Sequence, residues 1–368
     1  MNKLIDILLK WITPIWACYE FVIYKHQWER LIKQNGYKNR RIAGEKEWKK
    51  KWTQLSSLVS VSDYRFLSKY CDSPEKIVPE NVGHTVIDEL LNPYKYRSYY
   101  GDKNMFDILL GGDKLPVTIM RRINGGPILD EKYQKINNLK KYLSGYGDVL
   151  ILKPSVDSDS GIGVTQLKKK EDFYYDTEGR QLNEDYLNSF GSDFVLQKCV
   201  QQSEFMNHLN PTSVNTIRLY VYKSLVDEEP HVVGGVVRVG KSGSYVDNAH
   251  AGGRFVGIDV NTGRLGKMTF DADGGRERYF NGLDFENEEF VVPEWEMVLS
   301  FAKNVANRLI HMHYIALDIA LEEENKPTLI EYNIAASSFW LCMYTNQSPF
   351  GKYTDEIIDY CLKKKKNK

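Results

Sequence analysis

Apolar positions recur at helical spacing near the start of the chain. Leu4, Leu8, Trp11, Ile15, Tyr19 and Val22 fall on one side of a helix. Asp6, Lys10 and Glu20 interrupt this run and Pro14 breaks it. Such a run is neither the clean apolar stretch of a signal peptide nor that of a membrane-crossing helix. Its wide apolar stripe favours packing on the protein's own core. Trp11 and Trp16, with Lys3, Lys10 and Lys25, also suit peripheral contact of residues 1–35 with a membrane surface. Helical patterning continues to about residue 70 and includes a basic stretch from Lys38 to Lys51, most simply a solvated face. Asp102 is placed to cap a helix carrying Met105, Ile108 and Leu109, and residues 133–143 read as another helix.

Strand patterning follows. Pro116–Met120 and Asp148–Lys153 are short apolar runs, joined further on by 164–167, 194–199, 216–222, 232–239, 254–259 and 264–270. A long helix is expected over 294–310, then two strands around Leu317 and Leu329, then a helix over 355–362. Lys363–Lys368 is expected to be a disordered tail. The mixture has no regular βαβ rhythm, so the fold class is α+β.

Composition narrows the reading only slightly. At 368 residues the chain has room for two or three subdomains, and its formal net charge of zero provides no global field for nucleic acid. Cys18, Cys71, Cys199, Cys342 and Cys361 are scattered without a CxxC, as reduced thiols of a cytoplasmic protein would be.

Two distant segments carry the chemistry. Lys153 ends the apolar strand 149–152, Pro154 stops the ladder, and Ser160, Gly161 and Gly163 follow. Small residues let backbone N–H groups approach a phosphate, although a plain glycine hairpin would look alike. The loop matches neither a Walker A motif nor a GxGxxG fingerprint. Far downstream, Asp318 sits in the apolar run 316–320, where a carboxylate is costly unless it is paired or metal-bound. Glu331 and Asn333 are two apart on a strand and share a face. Two carboxylates and an amide oxygen are hard ligands suited to Mg2+. Cation, glycine loop and hard-oxygen site together suit a nucleoside triphosphate. Arg218 and Arg238 lie in β-branched surroundings and each needs an anion, either a phosphate or substrate carboxylate or a structural partner. The strand 195–200 could serve as a hinge that reads adenine, with Glu204 near ribose. The polar loop 247–254 could offer Asn248, His250 and Arg254 to substrate, though a hairpin turn explains its glycines equally well.

The order of these motifs resembles the ATP-grasp superfamily. Residues 209–218 (LNPTSVNTIR) and 246–253 (VDNAHAGG) resemble its sugar-transfer-associated branch, found with bacterial surface-polysaccharide synthesis. The likeness covers roughly residues 65–350. It implies an ATP-grasp fold, in which two α+β subdomains clamp ATP, here with a helical N-terminal extension. The implied division is 1–70 helical extension, 71–148 linking region, 149–350 core and 351–368 C-terminal helix and basic tail. Within the core, 149–200 would be the lid and 201–350 the metal and substrate part. By position, Lys103 and Lys153 would contact ATP, and Ser160, Gly161 and Gly163 would cover its phosphates. Gln197, Lys198 and Val200 would hold adenine, and Glu204 ribose. Arg218, Arg238 and Lys153 would act on the transferring group. Asn215, Asn248, His250 and Arg254 would face substrate, and Asp318, Glu331 and Asn333 would bind Mg2+. Gln197 departs from the glutamate that many members carry there. The implied reaction is ATP-dependent ligation of a carboxylate to an amine through an acyl phosphate, on a small or lipid-linked sugar acid. It would take place in the cytoplasm or at the inner membrane face. A sugar kinase and a nucleotide-binding scaffold are the competing readings.

Overall fold

The computed structural model describes residues 2–156 and 163–366, with side chains described from residue 14. The architecture is α+β and antiparallel throughout its two main sheets. The first sheet holds β1 (Thr118–Arg122), β2 (Leu129–Asp130), β3 (Val149–Pro154), β4 (Thr165–Lys170), β5 (Phe173–Tyr175) and β6 (Phe194–Lys198), in the order β2-β1-β6-β3-β4-β5. It therefore takes in residues 118–130, which sequence alone groups with the linking region. Leu139, Leu143, Leu150, Leu152, Leu187 and Phe194 form its core.

The second sheet holds β7 (Thr216–Lys223), β8 (Pro230–Val239), β9 (Arg254–Ile258), β10 (Leu265–Phe270) and β11 (Arg276–Glu277). After a separate hairpin of β12 (Tyr279–Phe280) and β13 (Leu283–Asp284), β14 (Tyr314–Leu321) and β15 (Pro327–Asn333) return to that sheet, whose order is β11-β10-β9-β8-β7-β14-β15. Side chains alternate between faces in a strand. Ile217, Leu219, Val221, Ile315 and Leu317 meet the helix Trp295–Arg308 on one face. Tyr220, Tyr222, Tyr314 and Ala316 face the other way, toward the helical N-terminal region.

That region contains α1 (Asn2–Gln34), α2 (Glu45–Trp52) and α3 (Val61–Leu67), then a π-helical turn, Gly83–Ile87. Trp28, Leu31, Trp52 and Phe66 are buried in the same cluster as Tyr220 and Tyr344, so the extension shares a core with the sheet. The packing expected of the first helix is seen in the later part of α1. Gly83 lies so close to Phe339 that a Cβ would come within 2.1 Å of its ring.

Two helix expectations need correction. Only Leu139–Leu143 of 133–143 is helical, because Asn138 caps it by accepting from Lys141 N–H and Tyr133 has a left-handed φ of 62°. Lys363–Lys366 is not a loose tail but the last turn of the helix Thr354–Lys366, where basic side chains suit the helix dipole.

Candidate nucleotide and metal site

Short connections bring the two sheets together around Lys103. Asp102 caps the turn Lys103–Met105 by accepting from Asn104 N–H. The Lys103 N–H donates to the Ser155 carbonyl just after β3, at 2.8 Å. Buried Asn104 donates to Ser155 Oγ and to the Arg122 carbonyl. From this anchorage Lys103 Nζ reaches Glu331 Oε1 on β15, at 2.9 Å. Lys153 is buried next to them. Burial pushes its ammonium down to about 8; Lys103 adds to this and Glu331 opposes it. Lys103, Lys153 and Glu331 thus converge at the junction of the sheets.

The second half of the site is a line of charge across β8, β7, β14 and β15. Asp318 is the ladder partner of both Arg218 and Glu331. Arg218 clamps it with two bonds, Nε to Oδ1 at 2.7 Å and Nη2 to Oδ2 at 2.6 Å, and Arg238 adds a contact at 3.2 Å. Burial alone would raise the Asp318 pKa, but the two arginines reverse this and hold it below the usual carboxylate range. Arg238 also meets Asp247 at 3.0 Å, and Thr216 Oγ1 donates to the same carboxylate. Burial raises Asp247, and Arg238 and Thr216 only partly offset it. The partners that Arg218 and Arg238 demanded are therefore carboxylates of the chain itself. Asp247 belongs to the loop whose Asn248, His250 and Arg254 drew attention; an acid beside a polar hairpin was its only signal.

Asn333 completes the hard-oxygen set on the Glu331 face, and its Nδ2 is buried without a hydrogen-bond partner. No group of three or more His, Cys, Asp or Glu is placed to hold a metal among the described residues. The set at hand is two carboxylates and one amide, chemically suited to Mg2+.

The remaining expected residues fall in different places. Gly163 has φ 78°, and a Cβ there would come within 2.8 Å of Pro154, so glycine is required at this turn. Ser160 and Gly161 lie outside the described residues. Gln197 is buried in β6, its amide donating to Thr118 Oγ1 at 3.0 Å and to the Pro116 carbonyl, so its NH2 group is already engaged. The Lys198 N–H donates to the Val117 carbonyl. Val200 is half-buried at the hinge, and Glu204 is exposed in the first turn of the helix Glu204–Leu209. The Ser203 N–H binds the Leu321 carbonyl, which ties this hinge to the end of β14.

Two of the expected substrate residues are engaged within the fold. Asn215 is fully buried and donates to the Met206 and Asn210 carbonyls while accepting from Ser213 Oγ and Gly240 N–H. Both ends of its amide are thus satisfied by the chain itself. Arg254 is buried against the 271–277 hairpin, bonded to Thr269 Oγ1 and the Gly275 carbonyl and near Asp271 and Glu277. Asn248 accepts from His250 N–H, and His250 is exposed with its ring 6.0 Å from Trp340.

Residues 85–357 match the family described as sugar-transfer associated ATP-grasp, well over half of the chain. No curated protein matches. Among solved structures, a D-alanine–D-alanine ligase from Bacillus anthracis aligns at 14% identity and TM-score 0.36, over 72% of this chain and 68% of that one. An L-amino acid ligase from Bacillus licheniformis aligns at 10% identity and TM-score 0.36, over 67% of this chain and 43% of that one, so this chain spans less than half of it. The ATP-grasp ligase PsnB, complexed with precursor peptide PsnA2 and AMPPNP, aligns at 13% identity and TM-score 0.39, over 88% and 76%.

Proposed function

The chain belongs to the sugar-transfer-associated ATP-grasp family, and from that premise we propose that it is an ATP-dependent carboxylate–amine ligase. The observation that carries the reading is the convergence of Lys103, Lys153, Glu331 and Asp318 where the two sheets meet. Lys103 and Lys153 would bind the triphosphate. Gln197, Lys198 and Val200 would flank the base in the hinge, and Glu204 the ribose. The glycine loop of the 149–200 subdomain would close over the phosphates and exclude water, which matters because an acyl phosphate hydrolyses. Asp318, Glu331 and Asn333 would hold magnesium, which draws charge from the phosphate oxygens when bound.

The substrate carboxylate attacks the γ-phosphorus, the bond to the bridging oxygen breaks, and ADP leaves. An amine then attacks the acyl carbon, and phosphate departs to leave an amide and a proton. Arg218 and Arg238, which pair with Asp318 and Asp247, would meet the transferring group. His250 and Asn248 would border the acid. The family is described as sugar-transfer associated; on this reading the acid would be a sugar acid of surface-polysaccharide synthesis, free or lipid-linked, handled in the cytoplasm or at the inner membrane face.

ATP turnover with magnesium tests this, scanning sugar acids and amines with hydroxylamine as a trap. The expected products are ADP, phosphate and an acid-dependent hydroxamate. A stable phosphosugar without hydroxamate would make the protein a kinase, and ATP binding with no turnover on any mixture would favour a scaffold.

A further inference from the structure

α1 has two faces with different surroundings. Trp28, Leu31 and Ile32 are buried in the core, and Tyr24 is partly buried beside them. On the opposite side Ile15, Tyr19 and Val22 repeat at helical spacing and stand 71%, 63% and 47% exposed, flanked by exposed Trp16 and Ile23. About three turns further along this face come His26, Arg30 and Lys33. An apolar stripe of this kind on a folded surface marks a contact that the chain does not make with itself.

A second observation identifies the partner. Exposed Lys46, Lys49 and Lys50 of α2 lie near the exposed run Lys363–Lys366. Lys365 Nζ donates to the Leu55 carbonyl just beyond α2, and Lys51 pairs with Asp355 at 2.7 Å, so the two lysine runs share one surface. The chain is neutral overall, so this basic patch is a segregation of charge rather than a general excess. α1 and the helix Thr354–Lys366 both pack on the turn Gly83–Ile87, which places stripe and patch on one helical layer. No helix among the described residues is long and apolar enough to cross a membrane.

We infer that this layer docks on an anionic lipid surface. The Ile15–Tyr19–Val22 face enters the headgroup boundary, and the lysines of α2 and 363–366 meet the anionic headgroups. Apolar insertion and basic attraction are the paired signals that stable surface anchoring needs. Each lysine near such a surface adds to the attraction. A second copy of the chain fits less well, because its own lysines would face these. The inference is independent of the nucleotide chemistry.

The test is flotation of the full chain with vesicles of phosphatidylcholine alone and of equal parts phosphatidylcholine and phosphatidylglycerol. Binding is expected to the anionic vesicles only and should weaken as salt rises. Combined Ile15→Ser, Tyr19→Ser and Val22→Ser should reduce it by more than about tenfold, and so should combined Lys363→Gln, Lys364→Gln and Lys366→Gln. These positions are exposed, so the thermal melt should be unchanged and serves as the folding control. Absence of flotation with anionic vesicles, or binding that survives both sets of substitutions, would overturn the inference. A dimer that the α1 substitutions convert to monomer, with no flotation, would assign the face to a second copy and also overturn it.

Discussion

Two clusters of buried acids in the molecule are compensated differently. On the seven-stranded sheet Asp318 and Asp247 meet Arg218 and Arg238, acid for base, with bonded geometry. In the helical layer Asp63, Glu80 and Asp88 are buried, with His84 beside Glu80. His84 lies 3.5 Å from both Glu20 and Glu80, and Tyr24 Oη is 3.1 Å from its Nδ1. Both oxygens of Asp63 and of Glu80, and one of Asp88, have no hydrogen-bond partner. Burial pushes Asp63 up to about 8, with the charge of Glu80 adding to it. Burial likewise raises Asp88 to about 6, although His84 and Arg97 oppose it. Burial would lower His84, but Glu20 and Glu80 raise it to about 10. Where cations match acids the acids stay ionised; where they do not, the fold retains protons.

Removing one partner from the matched cluster should have the largest effect. Asp318→Ala leaves Arg218 without its clamp, and breaking a buried pair from one side costs about 3–5 kcal/mol. Urea denaturation should show a loss of that order together with loss of magnesium-dependent turnover. A change below about 1 kcal/mol would mean that the pairing contributes nothing beyond burial.

Glu331→Ala separates chemistry from stability. Glu331 is partly exposed and bonded to Lys103. Turnover should fall by about 10²–10³, as for loss of one electrostatic contact to a transition state, with the melting temperature nearly unchanged. An unchanged rate would remove Glu331 from the proposed metal set.

The two clusters should also respond to pH in opposite directions. Asp318, held low, contributes stability above the unfolded carboxylate value, and that stability is lost as pH falls through its folded value. Asp63 acts in reverse. From about pH 4 up to about 8 the folded chain keeps a proton that the unfolded chain has released, so stability falls as pH rises. His84 extends this alkaline loss from about 6.5 to about 10. Asp63→Asn should flatten the decline between about pH 6 and 8, measured as the urea midpoint. A profile unmoved by that substitution would show that Asp63 holds no such proton. The smallest expected effect is at the Gly163 turn. Gly163→Ala forces a left-handed φ and a contact with Pro154, costing about 1 kcal/mol in a thermal melt.

This contrast also explains what could be read from sequence. β14 and β15 were legible because an acid in an apolar run and the spacing Glu331-x-Asn333 each state a physical requirement. Arg218 and Arg238 announced a need for anions, but which anions depends on ladder register across β8, β7 and β14, and no local pattern encodes that. The partners of Asn215 and Arg254 at 206, 240 and 275 were hidden for the same reason, since only the fold brings those segments close. Asp63, Glu80 and Asp88 gave no signal. In short helices with weak periodicity such acids look like solvated faces, and only burial distinguishes them.

The Asp88 carboxylate accepts the Ala336 N–H, three residues past Asn333, and Asn92 accepts from Tyr314 N–H while donating to the Ile334 carbonyl. The family likeness begins at residue 85, yet Trp28 and Phe66 pack in one cluster with Tyr220, Tyr314 and Phe339. Homology and cooperativity thus draw their borders in different places. Grafting the catalytic part onto another helical cap, or trimming it at the family border, would strip the covering from one face of the main sheet and yield an aggregating fragment rather than a smaller enzyme.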